Sequence, residues 1–208
     1  MSINYKALKQ INSDLKGKKA KLLIVTKTRS QDDILELIES GYIDFAENRV
    51  QEAYMKYSKI NSHSAINLNL IGPLQSNKVK QALNLFDTIQ SIDRNKIVDE
   101  ITKYEDVKTK TKNYYIQINI GEEPQKTGVL PENFSEFYHY CISKGLSISG
   151  IMCIPPVDKD PRYYFEKMIE IKKKHNNHLI LSMGMSSDYK IALDFKSDEI
   201  RVGSLIFS

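Results

Sequence analysis

Tryptophan is absent from this sequence, and cysteine occurs only twice, at Cys141 and Cys153. Two cysteines in separate elements, without metal-ligand spacing, argue against a disulfide scaffold and suit a reducing compartment. Histidine is scarce too: His63 in a polar loop, His139 in a helical pattern, His175 and His178 flanking a loop. None stands at the carboxyl end of a strand pattern, so histidine acid–base or zinc chemistry is not expected. No apolar run approaches the ~20 residues of a membrane span. The opening Met1-Ser2-Ile3-Asn4-Tyr5-Lys6 has no apolar signal core. Both absences point to the cytoplasm. A Walker loop and a Gly-x-Ser-x-Gly elbow are also lacking. There is no long block of one charge: 30 basic and 26 acidic residues leave +4. The short cluster Lys172-Lys173-Lys174-His175 suits the end of a helix, where cations complement the macrodipole. Nucleic acid and membrane are therefore not expected partners.

What remains is an ordinary globular composition, 41% hydrophobic and 27% charged over 208 residues. That length can bury a sizeable core. No linker, repeat or low-complexity stretch divides it, so one domain over residues 1–208 is expected.

The pattern is organised around Leu22-Leu23-Ile24-Val25-Thr26-Lys27-Thr28. Four consecutive apolar residues read as a strand buried on both faces. A helical pattern over 3–15 precedes it, stopped by Gly17. A helix opening at Ser30 follows, with Ile34, Leu35, Leu37 and Ile38 as its buried face and Gly41 as its stop. The alternation then repeats. Strand patterns fall at 22–27, 43–48, 68–72, 88–92, 114–121, 148–154, 179–183 and 200–205. Helical patterns fall at 50–60, 77–86, 95–104, 131–144, 163–175 and 188–195. Eight strands with a helix between each consecutive pair predict an α/β fold, a (β/α)8 TIM barrel. An open doubly wound sheet is the alternative, but Thr26-Lys27-Thr28-Arg29 is not the Gly-rich loop that such sheets use for nucleotides. The chain is short for a barrel. The helix that closes the ring after the last strand is either missing or supplied by the helix before the first.

In a barrel the strand ends converge on one mouth. The polar set there is Lys27, Asn48, the 72–78 loop, Ser91 to Arg94, Asn119, Ser182 with Gly184, and Arg201 with Gly203-Ser204. A lysine at a strand end is expected to be partly desolvated and able to attack an aldehyde. Loops after strands seven and eight are the usual phosphate cradle of barrels. Each piece alone has a plainer explanation. Lys27 could snorkel to water. Gly203-Ser204 could be a kink, Ser187 a helix cap, and the methionines core packing. Arg201 could pair with Glu199 or Asp198. Tyr114 and Tyr115 look structural. Gathered at one mouth, these residues describe a site for a phosphorylated aldehyde, with pyridoxal 5′-phosphate as the candidate. A phosphate-sugar enzyme with an imine on Lys27 is another reading.

The sequence resembles the pyridoxal phosphate homeostasis proteins (YggS/PROSC type). The match is carried in order by Val25-Thr26-Lys27-Thr28, Phe45 to Glu52, Ile71 to Lys78 and Ser91-Ile92-Asp93. It continues through Gln117 to Ile120, Lys126 to Val129, Gly150 to Pro155, Leu181 to Ser186 and Arg201 to Ser204. That family resembles the N-terminal barrel of alanine racemase. The resemblance implies a Schiff base between pyridoxal phosphate and Lys27. It implies phosphate binding by Ser182, Gly203 and Ser204, Arg201 near the pyridine nitrogen, Asn48 beside the ring and Met183 packed near it. An arginine at that nitrogen weakens the ring as an electron sink, which suits a carrier. Ala46 stands where the family usually has glycine, tolerable if its φ is negative; Ser204 stands where threonine is common; the chain ends sooner than most members. The implied function is intracellular cofactor homeostasis without catalytic residues, with PLP-dependent apo-enzymes as possible recipients. The alternative is a racemase-like enzyme. Racemisation needs acid–base groups on both faces of Cα, and no stretch here could form the second domain that brings the other base in racemases. A monomer is expected.

Overall fold

The computed structural model describes residues 3–58, 60, 66–104 and 107–207. Helix α1 (Tyr5–Leu15) comes first. Strand and helix then alternate through β1 (Lys21–Val25), α2 (Gln31–Glu39), β2 (Asp44–Glu47), α3 (Val50–Tyr57), β3 (Asn67–Leu70) and α4 (Val79–Leu85). The second half follows as β4 (Thr88–Ile92), α5 (Asn95–Thr102), β5 (Asn113–Ile118), α6 (Phe134–Ser143), β6 (Ile148–Cys153), α7 (Pro161–His175), β7 (Ile180–Ser182), α8 (Tyr189–Asp194) and β8 (Glu199–Val202). Among the described residues the strands pair in parallel in chain order, and β8 pairs back onto β1. The sheet is a closed (β/α)8 barrel, so the open doubly wound alternative is excluded. No helix among the described residues is long and apolar enough to cross a membrane.

Local chemistry explains the elements. Ser30 accepts from the Asp33 N–H while Asp33 accepts from the Ser30 N–H, a full capping box at the start of α2. Gly41 follows that helix at φ +89, the left-handed conformation expected of a helix stop. Two further caps have no counterpart in the sequence reading. Asn4 caps α1, and Asp160 with Pro161 opens α7 two residues early. Single 3₁₀ turns, Ser76–Lys78 and Pro131–Asn133, replace the first turns expected of α4 and α6. Most strands stop one to three residues before their apolar patterns do. Leu35 is exposed rather than part of the buried face of α2, which Ile34 and Leu37 form. Helix α3 ends at Tyr57, with Ser58 as its C-cap, rather than running to about residue 60; His63 lies outside the described residues.

The ring is completed by α1. The Tyr5 hydroxyl donates to Glu36 of α2, and the Asn12 amide to the Tyr42 hydroxyl. On the other flank the Tyr189 hydroxyl of α8 donates to Asp14. Behind it the Asn4 N–H donates to the Ile206 carbonyl, and Ile3 bridges Phe207 antiparallel. The helix before the first strand thus takes the closing place.

Candidate functional site

The interior of the barrel is unusually polar on one side. Gln90 of β4 donates from Nε2 to Glu199 of β8 at 2.8 Å, so the bond spans the lumen between opposite strands. The same amide donates to Asn69 Oδ1 at 3.1 Å, and its oxygen accepts from Ser182 Oγ at 2.6 Å. The Tyr115 hydroxyl donates to the other Glu199 oxygen at 3.0 Å. Arg201 sits on top of this layer. Its Nη1 donates to Ser182 Oγ at 2.9 Å and its Nη2 to the Cys153 carbonyl at 2.7 Å. Burial pushes the Glu199 carboxyl above its ordinary value; the Tyr115 and Gln90 hydrogen bonds and the Arg201 charge oppose that. Burial also pushes the Cys153 thiol up to about 12, which keeps it an inert neighbour.

Above this layer, at the carboxyl ends of the strands, lies a cavity of about 390 Å³, within the ~300–1,000 Å³ typical of small-molecule sites. Its ionisable lining groups are Lys27 and Arg201, and its hydroxyls are Thr127, Ser186, Ser187 and Ser204. Lys27 stands two residues beyond β1 and is exposed, not partly desolvated as expected. It occupies the second position of a turn closed by the Arg29 N–H on the Thr26 carbonyl. Thr28 follows at φ +62, where a type II turn normally places glycine.

The neighbouring strand ends are packed to leave this space. Asn48 directly follows β2, and Gly72 lies so close to it that a Cβ would stand 2.1 Å from the Asn48 carbonyl oxygen. Only glycine permits that approach. Gly203 abuts the end of β1, where a Cβ would meet the Val25 carbonyl at 3.0 Å. The Gly203 N–H points to Ser186 Oγ at 3.4 Å. Backbone N–H and hydroxyls so arranged are suited to an anion. Ala46 lies in β2 without a positive φ, so it costs nothing where glycine was the expected family residue.

Of the seven residues assigned to the cofactor from the sequence, five line the cavity: Lys27, Asn48, Arg201, Gly203 and Ser204. Ser182 and Met183 do not. Both are fully buried, Ser182 beneath Arg201 and Met183 in the apolar core. After them the chain turns at Gly184, φ +95, and reaches the mouth with Met185, Ser186 and Ser187. Ser187 is not the helix cap; Asp188 occupies that position, and its carboxylate accepts from the Met185 N–H. Asp93 and Arg94 pair with each other, and Arg94 also holds the Leu74 carbonyl, away from the cavity. Asn119 fastens its own loop by accepting from the Glu123 N–H and donating to its carbonyl. Arg201 pairs with neither Glu199 nor Asp198; the Asp198 carboxylate accepts from the Leu181 N–H instead. Gln117 and Thr127 were missed as lining residues, although both fall within motifs already marked. Gln117 donates to the Thr127 hydroxyl and carbonyl, and its own buried oxygen has no partner.

The model of the alanine racemase N-terminal domain matches residues 3–208. The chain belongs to that family, and within it to the pyridoxal phosphate homeostasis proteins. The pyridoxal phosphate homeostasis protein of Aquifex aeolicus (strain VF5) is 36% identical over 197 residues, covering 90% of this chain and 86% of the relative. Among solved structures, PipY of Synechococcus elongatus PCC7942 with PLP bound is 27% identical, at a TM-score of 0.83. That match covers 98% of this chain and 99% of PipY. An alanine racemase from Clostridium difficile 630 shares the fold at 15% identity and a TM-score of 0.72. It covers 99% of this chain and 57% of the racemase.

Proposed function

We propose that this protein binds pyridoxal 5′-phosphate at the barrel mouth and serves intracellular homeostasis of that cofactor, without turning over a substrate. The observation that carries the reading is one cavity in which the Lys27 amine shares a wall with Ser186, Gly203 and Ser204. The amine can hold the aldehyde as a Schiff base, and the hydroxyls and amides can hold the phosphate. The name of the Aquifex relative and the ligand of PipY support the same assignment.

The residues fit the group. The Gly203 N–H and the Ser186 hydroxyl to which it donates lie together at the cavity wall, where an anion can engage both, and Gln117 offers a buried acceptor without a partner. Arg201 is held by Ser182 and Cys153 on the inner side and lines the cavity on the other. As the family resemblance implies, it would meet the ring nitrogen as a permanent cation, which cannot surrender a proton to it. Asn48 lines the same cavity and would lie beside the ring. Ser182 acts from below by orienting Arg201, while Met183 belongs to the apolar core.

Racemisation or a related reaction needs two proton-transfer groups on opposite faces. Among the described residues lining the cavity, Lys27 is the one ordinary proton carrier; no tyrosine, histidine or carboxylate joins it. That supports a carrier that operates as a monomer in the cytoplasm and passes the cofactor to apo-enzymes. Titration of the purified protein with pyridoxal phosphate should develop a yellow absorbance that saturates at one equivalent. Incubation of the loaded protein with L-alanine should form no D-alanine beyond a buffer control. A protein that stays colourless would return the phosphate-sugar reading to first place, and sustained D-alanine formation would return the racemase.

A further inference from the structure

We infer that Lys56, with Glu47 and Glu52, is the positioning device for Lys27, an inference that rests on the cofactor reading above. None of the three lines the cavity. The Lys56 ammonium is nearly buried and donates to three oxygens: the Thr26 carbonyl at 2.7 Å, Glu47 Oε1 at 2.9 Å and Glu52 Oε1 at 2.6 Å. Glu47 is fully buried in β2 and also accepts from the Thr26 hydroxyl at 2.7 Å. That hydroxyl is in turn 2.7 Å from the Tyr57 hydroxyl. Glu52 accepts in addition from the Thr28 N–H.

The two residues flanking Lys27 are therefore both fastened to one ionic cluster, Thr26 through its carbonyl and hydroxyl and Thr28 through its amide. Lys27 itself is left out of the cluster and free to point elsewhere. The fastening has a visible consequence. Thr28 is β-branched yet sits at φ +62, a conformation such residues avoid and hold only where the surroundings over-determine it. The bond from its N–H to Glu52 is what over-determines it. Without the cluster the turn would relax toward an ordinary φ, and the Lys27 amine would leave the geometry in which it meets an aldehyde. An amine misplaced by about an ångström loses most of its advantage. The phosphate cradle, on the β7 and β8 loops, would not move.

The test separates aldehyde capture from phosphate binding. Affinities are measured for pyridoxal 5′-phosphate and for pyridoxine 5′-phosphate, which has an alcohol in place of the aldehyde. The ratio of the two reports Lys27 alone, and Lys27→Ala sets its floor. Lys56→Met is expected to leave pyridoxine phosphate binding within about twofold of wild type and to cut the ratio about tenfold, with thermal unfolding recorded alongside. If Lys56→Met does not fold, Glu52→Ala on the surface of α3 decides the question, with the same loss expected. Glu52→Gln, which keeps an acceptor for the Thr28 N–H, should recover most of the ratio. A wild-type ratio in Lys56→Met, or in Glu52→Ala, overturns the positioning role. A wild-type protein that shows no preference for the aldehyde overturns the Lys27 reading itself, and this inference with it.

Discussion

Outward from its strands the barrel meets the helices through an apolar shell; inward it encloses hydrogen-bonded polar side chains. The shell includes Phe45, Phe134 and Phe165, all fully buried. The lumen holds Gln90, Ser182, Tyr115, Glu199 and Arg201, bonded across strands up to 109 residues apart in sequence. The lumen is not polar all round. Leu23, Val25 and Ala46 form a small separate apolar cluster, with Ile71 packed on it, beside the end of β1. The contrast separates two tasks. The shell gives stability through burial, which is non-directional. The β4–β8 side of the lumen fixes directions: it aims Arg201 at the mouth and leaves few orphaned groups among those it buries, at the cost of a buried carboxylate and a buried guanidinium.

If the tasks are separate, substitutions should dissociate them. Lys27→Ala should have the largest effect on binding and the smallest on the fold. The borohydride-stable adduct should vanish, while unfolding free energy stays within about 0.5 kcal/mol of wild type, as for an exposed residue. Phe165→Ala should do the reverse. It should lose about 3–5 kcal/mol in denaturant unfolding and keep its cofactor affinity wherever it remains folded. If Phe165→Ala weakens binding in proportion to stability, the two layers are not separable.

Glu199→Gln falls between them. The amide presents N–H to one of two donors, Tyr115 or Gln90, and about 1–3 kcal/mol should be lost. Binding should also weaken, because Gln90 and Ser182 link Glu199 to Arg201. The pH dependence has a definite sign. Burial raises the folded carboxyl above its ordinary value of 4.5, so the native state holds that proton more tightly than the unfolded chain. Its contribution is fully present below about 4.5 and is lost as pH rises through the folded titration. The gap between wild type and Glu199→Gln should therefore be widest at or below about pH 4.5 and narrow above it, as urea unfolding across pH would show. A gap that widens with pH would mean the carboxylate is stabilised by its donors more than burial opposes it. Ser30→Ala should be the mildest, about 1 kcal/mol from the lost capping box, with binding unchanged.

The shell was readable in the sequence because periodicity reports it directly: the spacing of Ile34 and Leu37 marks the buried face of α2, and Ile24 in the first apolar run is the buried β1 residue that faces the shell. Leu35 misled because an apolar residue beside a buried face need not join it. The lumen was hardly readable. Nothing in the local pattern tells Gln90 that Glu199 lies opposite, and Tyr115 looked merely structural. The mouth was readable as far as strand ends define it, which placed Lys27, Asn48, Arg201, Gly203 and Ser204. Ser182 and Ser186 could not be told apart without knowing where the chain turns at Gly184. The strained turn at Thr28 was invisible, since threonine is a poor signal for a left-handed conformation.

The measurement that goes most directly to the function is borohydride reduction of the protein loaded with pyridoxal phosphate, followed by peptide mass mapping. A single modified residue at Lys27 is the expected result. Label on a different lysine, or none at all, would contradict the assignment of this mouth as the cofactor site.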